Sequence, residues 1–298
     1  MKKIILIFLL IVILALGGAA WYVSCKMDWN QHKGKLADEL SSIIGRKIVF
    51  SGDLDVSLFP IPRLSAKDIE IINQQTSEKL AVIEQLETSV SLKSILKGTP
   101  DISSLSLSGV EVWFNYDKNN ESNWQLKSDK KEASKAIKDV SFQSFNLKNS
   151  LVHINIEKYD VSLDLTNVNT DVQAASLSGP YRLDCNFMID DDRYGLAFSI
   201  DSISQLEDTE VKFAITHPNS DSYVRYDGIF NIGSETFKGD FSGTSNNAAD
   251  FINIVMNKEV LDKDFNVPLM FSSTVNSDEK EMNFSRLVIK FGEYLEGA

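Results

Sequence analysis

From Val140 to Phe291, apolar residues fall on alternate positions in one short run after another, with turn residues between the runs. Val152, Ile154 and Ile156 share one face, then Val161, Leu163 and Leu165, then Tyr181, Leu183, Cys185, Phe187 and Ile189. The same rhythm returns in Tyr194, Leu196, Phe198 and Ile200, in Val211, Phe213 and Ile215, and in Phe237, Gly239 and Phe241. A period of two marks half-buried strands, and this succession predicts an antiparallel meander with one apolar and one polar face. Asp190-Asp191-Asp192 reads as a hairpin turn within it.

Upstream, strands are expected over Lys47 to Asp53, Asp55 to Phe59, Leu64 to Ile72, Ile102 to Leu107 and Val110 to Tyr116. Val82 to Leu92 puts Val82, Glu84, Leu86, Thr88, Val90 and Leu92 on one face, and Pro60 and Pro62 stop the strand before them. Three stretches read as helical instead. Asn30 to Ile44 spaces Leu36, Leu40, Ile43 and Ile44 as a helix stripe, with Gly45 as a left-handed C-cap and the stripe expected to pack on the first strands. Ser91 to Lys97 reads as a short turn of helix, and Asn246 to Met256 as a longer one.

Ile4 to Ala20 is uninterrupted apolar or small, and with Trp21 to Val23 it gives about 20 residues, a spanning length of roughly 30 Å. A cleaved signal peptide has a shorter apolar region and a small-x-small site, for which Leu16 to Ala20 is a weak match. Lys2 and Lys3 before the helix nearly balance Lys26, Lys33 and Lys35 after it, so the three-residue tail decides the orientation, with the bulk of the chain translocated. Tyr22-Val23-Ser24-Cys25 also resembles a lipoprotein processing site, which leaves a lipidated Cys25 as the alternative anchor on the same membrane.

Composition narrows function mainly by exclusion. A net charge of −12 and an isoelectric point near 4.8 leave no basic patch for nucleic acid. Cys25 and Cys185 are too far apart in sequence to form a framework, and His32, His153 and His217 are isolated, each reading as solvated. The Asp190 cluster lacks the ladder and closing Glu of a calcium loop, and phosphate loops, nucleophile elbows and dinucleotide fingerprints are missing. No catalytic residue, metal or cofactor is expected, and the chain does not read as an enzyme.

Lys127 to Lys138 is charged and poor in apolar residues, so it reads as a linker. The expected organisation is a membrane anchor over 1–24, an N-terminal α+β region over 25–126, the linker over 127–138, and an antiparallel sheet over 139–298, either a short protein or part of a longer sheet.

Several pieces of the first region occur in a telling order: Gly45-Arg46-Lys47-Ile48-Val49-Phe50-Ser51-Gly52, Leu58-Phe59-Pro60 with Leu64 to Asn73, Leu92 to Gly98, Leu105-Ser106-Leu107 running into Val110 to Phe114, and Asn119 to Trp124. In order and spacing this resembles the opening of the AsmA family. The resemblance implies an inner-membrane anchor, a body in the periplasm of a Gram-negative bacterium, and a part in cell-envelope biogenesis. It further implies kinship with bridge-like lipid transfer proteins, whose long curled sheet shields phospholipid acyl chains. On that reading Val152, Ile154, Leu183, Phe187, Leu196, Phe198 and Phe213 line an apolar groove. Two alternatives stay open: a closed sandwich or barrel whose inner faces cover each other, and a factor that influences outer-membrane protein assembly through protein contacts on sheet edges.

Overall fold

The computed structural model describes residues 28–57, 61–73, 76–90, 101–118, 121–124, 141–142, 144–174, 179–201, 208–218, 221–231, 234, 236–249, 252, 260–262, 267–277, 281–292 and 295–297. The expected membrane helix, the Ser91 to Lys97 turn and the Lys127 to Lys138 linker lie outside these residues. Among the described residues no helix is long and apolar enough to cross a membrane.

A short 3-10 turn over Trp29–His32 leads into helix α1 (Lys33–Ile44). Gly45 ends it at φ 72°, its N–H donating to Ser41 O at 2.9 Å, as expected for a left-handed cap. Strands follow: β1 (Lys47–Phe50), β2 (Leu54–Ser57), β3 (Arg63–Ile72), β4 (Lys79–Val90), β5 (Asp101–Tyr116), β6 (Ser141–Phe142), β7 (Ser144–Ile156) and β8 (Val161–Ala174). The second half contains β9 (Tyr181–Ile189), β10 (Asp192–Ile200), β11 (Asp208–His217), β12 (Ser222–Asn231), β13 (Thr236–Ser245), β14 (Leu269–Ser277), β15 (Met282–Phe291) and β16 (Leu295–Gly297). The expected Asn246 to Met256 helix starts later than expected: Asn246 and Asn247 are not helical, Ala248, Ala249 and Ile252 are, and the remainder is outside the described residues.

All sixteen strands belong to one sheet, whose order is β1-β3-β4-β5-β7 and then consecutive to β16, with β2 also on β3 and β6 on β5. The sheet is open, since no pairing joins β16 back to β1. The sheet is mostly antiparallel, as expected, with one parallel join: β6 and β7 both run parallel to β5. The chain re-enters the sheet beside the start of β5, where Ser141 pairs with Asp101, so β7 runs alongside β5 in the same direction.

The expected break between Ile102 to Leu107 and Val110 to Tyr116 lies inside one strand, where Gly109 takes φ 59° and the pairing with β4 stays in register. Asp68, Asn149 and Asn167, each at φ 49°, interrupt β3, β7 and β8 likewise. These residues match across the sheet: Asp68 lies between the pairs Lys67–Gln85 and Ile69–Ile83, and Gly109 between Ser108–Gln85 and Val110–Ile83. Asn149 follows the pair Ser108–Lys148, and its N–H donates to Asn169 Oδ1 at 3.1 Å, two residues from Asn167.

At this row the apolar positions step by three instead of two. Ala66 and Ile69, Ile83 and Leu86, and Leu107 and Val110 all belong to one packed cluster. The face expected for β4 is corrected accordingly: Val82 stands opposite Glu111, away from the cluster, whereas Ala81 and Ile83 are buried opposite Val112 and Val110. Glu84 is exposed. Helix α1 covers this end of the face through Leu36 and Leu40, with Trp29 beside them. Ile44, expected in the same stripe, is exposed because the helix turns it off the sheet at its last residue.

Candidate functional site: an apolar sheet face

Directly opposed residues on neighbouring strands point to the same side of a sheet, so the register assigns each side chain to a face. One row reads Leu183, Phe198, Phe213, Tyr226, Phe241 across β9 to β13. The next reads Cys185, Leu196, Ile215, Val224, Gly243, Phe271, Ile289 across β9 to β15. On the other side of the row of left-handed residues, Val112, Val152 and Leu165 are opposed, as are Phe114, Ile154 and Leu163. Val152 and Leu165 pack with Val168, Phe187, Tyr194, Cys185 and Leu196, which joins the two sets into one surface. All seven residues expected to line a groove are therefore on one continuous face.

Phe187 is buried, while Val152, Ile154, Leu183, Leu196, Phe198 and Phe213 are only half-buried. The reason is architectural. Every substantial strand–strand contact is between sheet neighbours, and α1 reaches β1, so among the described residues no second layer lies over β7 to β15. Phe114, Ile215 and Phe284 on this face are 37%, 40% and 53% exposed. The closed sandwich or barrel is thereby excluded for the described strands.

Aromatic rings run along the face. Phe187 stacks on Tyr194 at 5.7 Å and Tyr194 on His217 at 4.6 Å; Phe213 stacks on Tyr226 at 5.7 Å, and Tyr226 meets Phe237 edge-on at 6.2 Å. The opposed pair Gly228–Gly239 makes room for them: a Cβ on Gly228 would come within 2.4 Å of Tyr226 Oη. Burial, followed by the neighbouring Asp227 carboxylate, raises the Tyr226 phenol above its ordinary value. Burial likewise raises the Cys185 thiol, partly offset by a hydrogen bond with Thr170.

The reverse face is polar. His153 bridges three strands there, its Nδ1 2.7 Å from Asp164 Oδ1 and its Nε2 3.0 Å from Glu111 Oε1, with its ring stacked on Trp113 at 5.4 Å. Burial alone would lower its pKa, but the hydrogen bonds to Asp164 and Glu111 outweigh that and raise it. A shallow hollow of about 320 Å³ is lined by residues of both faces, with Arg182, Lys212 and Arg225 beside Leu183, Phe198, Phe213 and Tyr226. Two of the three histidines expected to be solvated are thus engaged: His153 is held by carboxylates, and His217 lies against Tyr194 with its Nε2 3.5 Å from Asp192. Their partners come from other strands and cannot be read from local sequence. Among the described residues no group of three or more His, Cys, Asp or Glu is placed to hold a metal.

Sequence reasoning left out Phe114, Leu163, Leu165, Tyr226 and Phe241, which extend the same rows. Alternation within each strand was visible, but which strands' faces join depends on register. The sequence profile of the AsmA family matches residues 1–267. No curated protein and no solved structure matches the chain.

Proposed function

Because the chain belongs to the AsmA family, we propose that it is an inner-membrane-anchored periplasmic protein of cell-envelope biogenesis whose apolar sheet face takes up phospholipid acyl chains and leads them towards the outer membrane. The observation that carries this reading is the continuous apolar face from β7 to β15 with no covering layer over it among the described residues. Apolar area left wet forfeits about 25 cal/mol per Å², and a hydrocarbon chain laid along the rows recovers it. Binding on this reading is passive: acyl chains are desolvated against the sheet and headgroups stay in water. The nine uncovered strands β7 to β15 at about 4.8 Å each give a path of roughly 40 Å, the distance a lipid travels without leaving this chain. The apolar segment Ile4 to Ala20 supplies the anchor in this scheme.

The purified chain is expected to retain phospholipid detectable by mass spectrometry, and a delipidated preparation to take up a fluorescent phospholipid. A folded, delipidated preparation that takes up none sinks the proposal and favours a role through protein contacts instead.

A further inference from the structure

We propose that Trp124 is a lipid-contacting residue at the lip of the apolar face, set where the acyl chain of a bound phospholipid gives way to its headgroup. This rests on the lipid-binding reading above. The observation behind it is the amount of structure that holds one half-exposed indole in place.

β5 ends at Tyr116, and the chain doubles back: Asp117 N–H donates to Glu121 O at 2.9 Å, Glu121 N–H donates to Asp117 Oδ1 at 2.8 Å, and Ser122 bridges to Tyr116. Asn123 then binds the edge of β5 like a short strand. Its N–H donates to Asn115 O at 3.0 Å, its Oδ1 accepts from Asn115 N–H at 3.1 Å, and its Nδ2 donates to Trp113 O at 2.8 Å. From the far side, the buried Arg46 donates through Nη2 to Asn123 O at 3.1 Å. The Gly-Arg and Asn-Trp pieces of the sequence, 77 residues apart, therefore meet in one latch.

The latch fixes the residue that follows. Trp124 stands edge-on to Phe114 at 5.4 Å and lies at 28° to Tyr116 at 6.2 Å. Phe114 is in the apolar row with Ile154 and Leu163, so the indole extends that row past the end of β5. Yet Trp124 is 47% exposed, and Phe114 beneath it 37%. An anchor serving only to bury an aromatic ring would leave less of it in water. An indole has an apolar body and one polar N–H, which suits the level where hydrocarbon meets headgroup.

The test uses the full chain in cell membranes labelled with radioactive phosphate, carrying the photoreactive p-benzoylphenylalanine at one position: Trp124, Leu196 within the apolar face, or Ser242 on the polar face. Phospholipid phosphorus is expected on the chain after irradiation at 124 and 196, and not at 242. Label at 196 without label at 124 overturns the role of Trp124 and leaves the lipid reading standing. Label at neither position, or equal label at all three, overturns both. As a second measurement, Trp124→Ala is expected to weaken phospholipid uptake by about ten-fold and Trp124→Phe by about two- to three-fold, with unchanged melting since the bonds of Asn123 remain. Uptake unaltered in Trp124→Ala also overturns the proposal.

Discussion

Phe187 and Phe198 sit on adjacent strands of the same apolar face, yet their truncations should fail in different ways. Phe187 is 8% exposed and packed against Tyr194 and Val168, so Phe187→Ala removes a ring and leaves a cavity that its neighbours fill only in part. That costs about 3–5 kcal/mol of stability. Phe198 is half-buried on the uncovered side of the sheet. Phe198→Ala loses only the part of the transfer energy that the sheet itself supplies, about 1–1.5 kcal/mol, and opens no closed void. The remaining ring surface is available to a ligand. Its loss is worth about 1 kcal/mol of binding, roughly five-fold in Kd. Urea unfolding measures the first quantity and titration with a fluorescent phospholipid the second. The expected pattern is crossed: a large stability loss with little change in affinity per folded molecule at Phe187, and a small stability loss with weakened affinity at Phe198. Equal destabilisation of both, with affinity unchanged at Phe198, would mean that Phe198 lies in a covered core and that the uncovered face is not the binding surface.

Other outcomes follow from single contacts. The pKa of His153 is raised in the fold, so its bonds to Glu111 and Asp164 contribute fully below its unfolded value, about 6.5, and fade as pH rises through the folded value. His153→Gln should therefore lose more stability relative to the parent at pH 5.5 than at pH 9, read from urea midpoints; an equal loss at both would contradict the charged pairing. Asn123→Ala removes one donor and one acceptor that pair with β5 and should cost about 1–3 kcal/mol, seen as a lowered melting temperature, and Asn123→Asp should not restore the bond to Trp113 O. In a Cys25→Ser background, burial should make Cys185 react with iodoacetamide at pH 8 far more slowly than a free thiol, and bound phospholipid should slow it further; a rate equal to that of free cysteine refutes the placement.

How much of this was legible in the chain depended on whether the signal was local. The alternation of β9 to β13 was plain because each strand carries its own pattern, and the Asp190 turn and Gly45 cap are local chemistry that the structure bears out. The seven residues expected to line a groove share one face for the same reason. What could not be read was anything that required knowing a neighbour: the parallel join of β5 to β7, the carboxylates around His153, the ring over His217, and Arg46 reaching Asn123. The error in β4 is more instructive. A strict period of two through Glu84 does not hold, and apolar spacings of three recur at Ala66 and Ile69, Ile83 and Leu86, and Leu107 and Val110. Asp, Gly and Asn within or beside such steps tolerate the left-handed backbone found there.

That row of left-handed residues has a mechanical meaning. One left-handed residue redirects its strand, but such residues at matching positions in β3, β5, β7 and β8, with register shifts beside them between β7 and β8, act as a crease running at right angles to the strands. A sheet creased along that line curls about the direction in which successive strands are added. Its hollow then lengthens with each strand, and the apolar side chains stay in phase through the fold line because each step of three restores them to the same side. Curvature and length are thus encoded separately, one left-handed residue for the bend and one more hairpin for the reach.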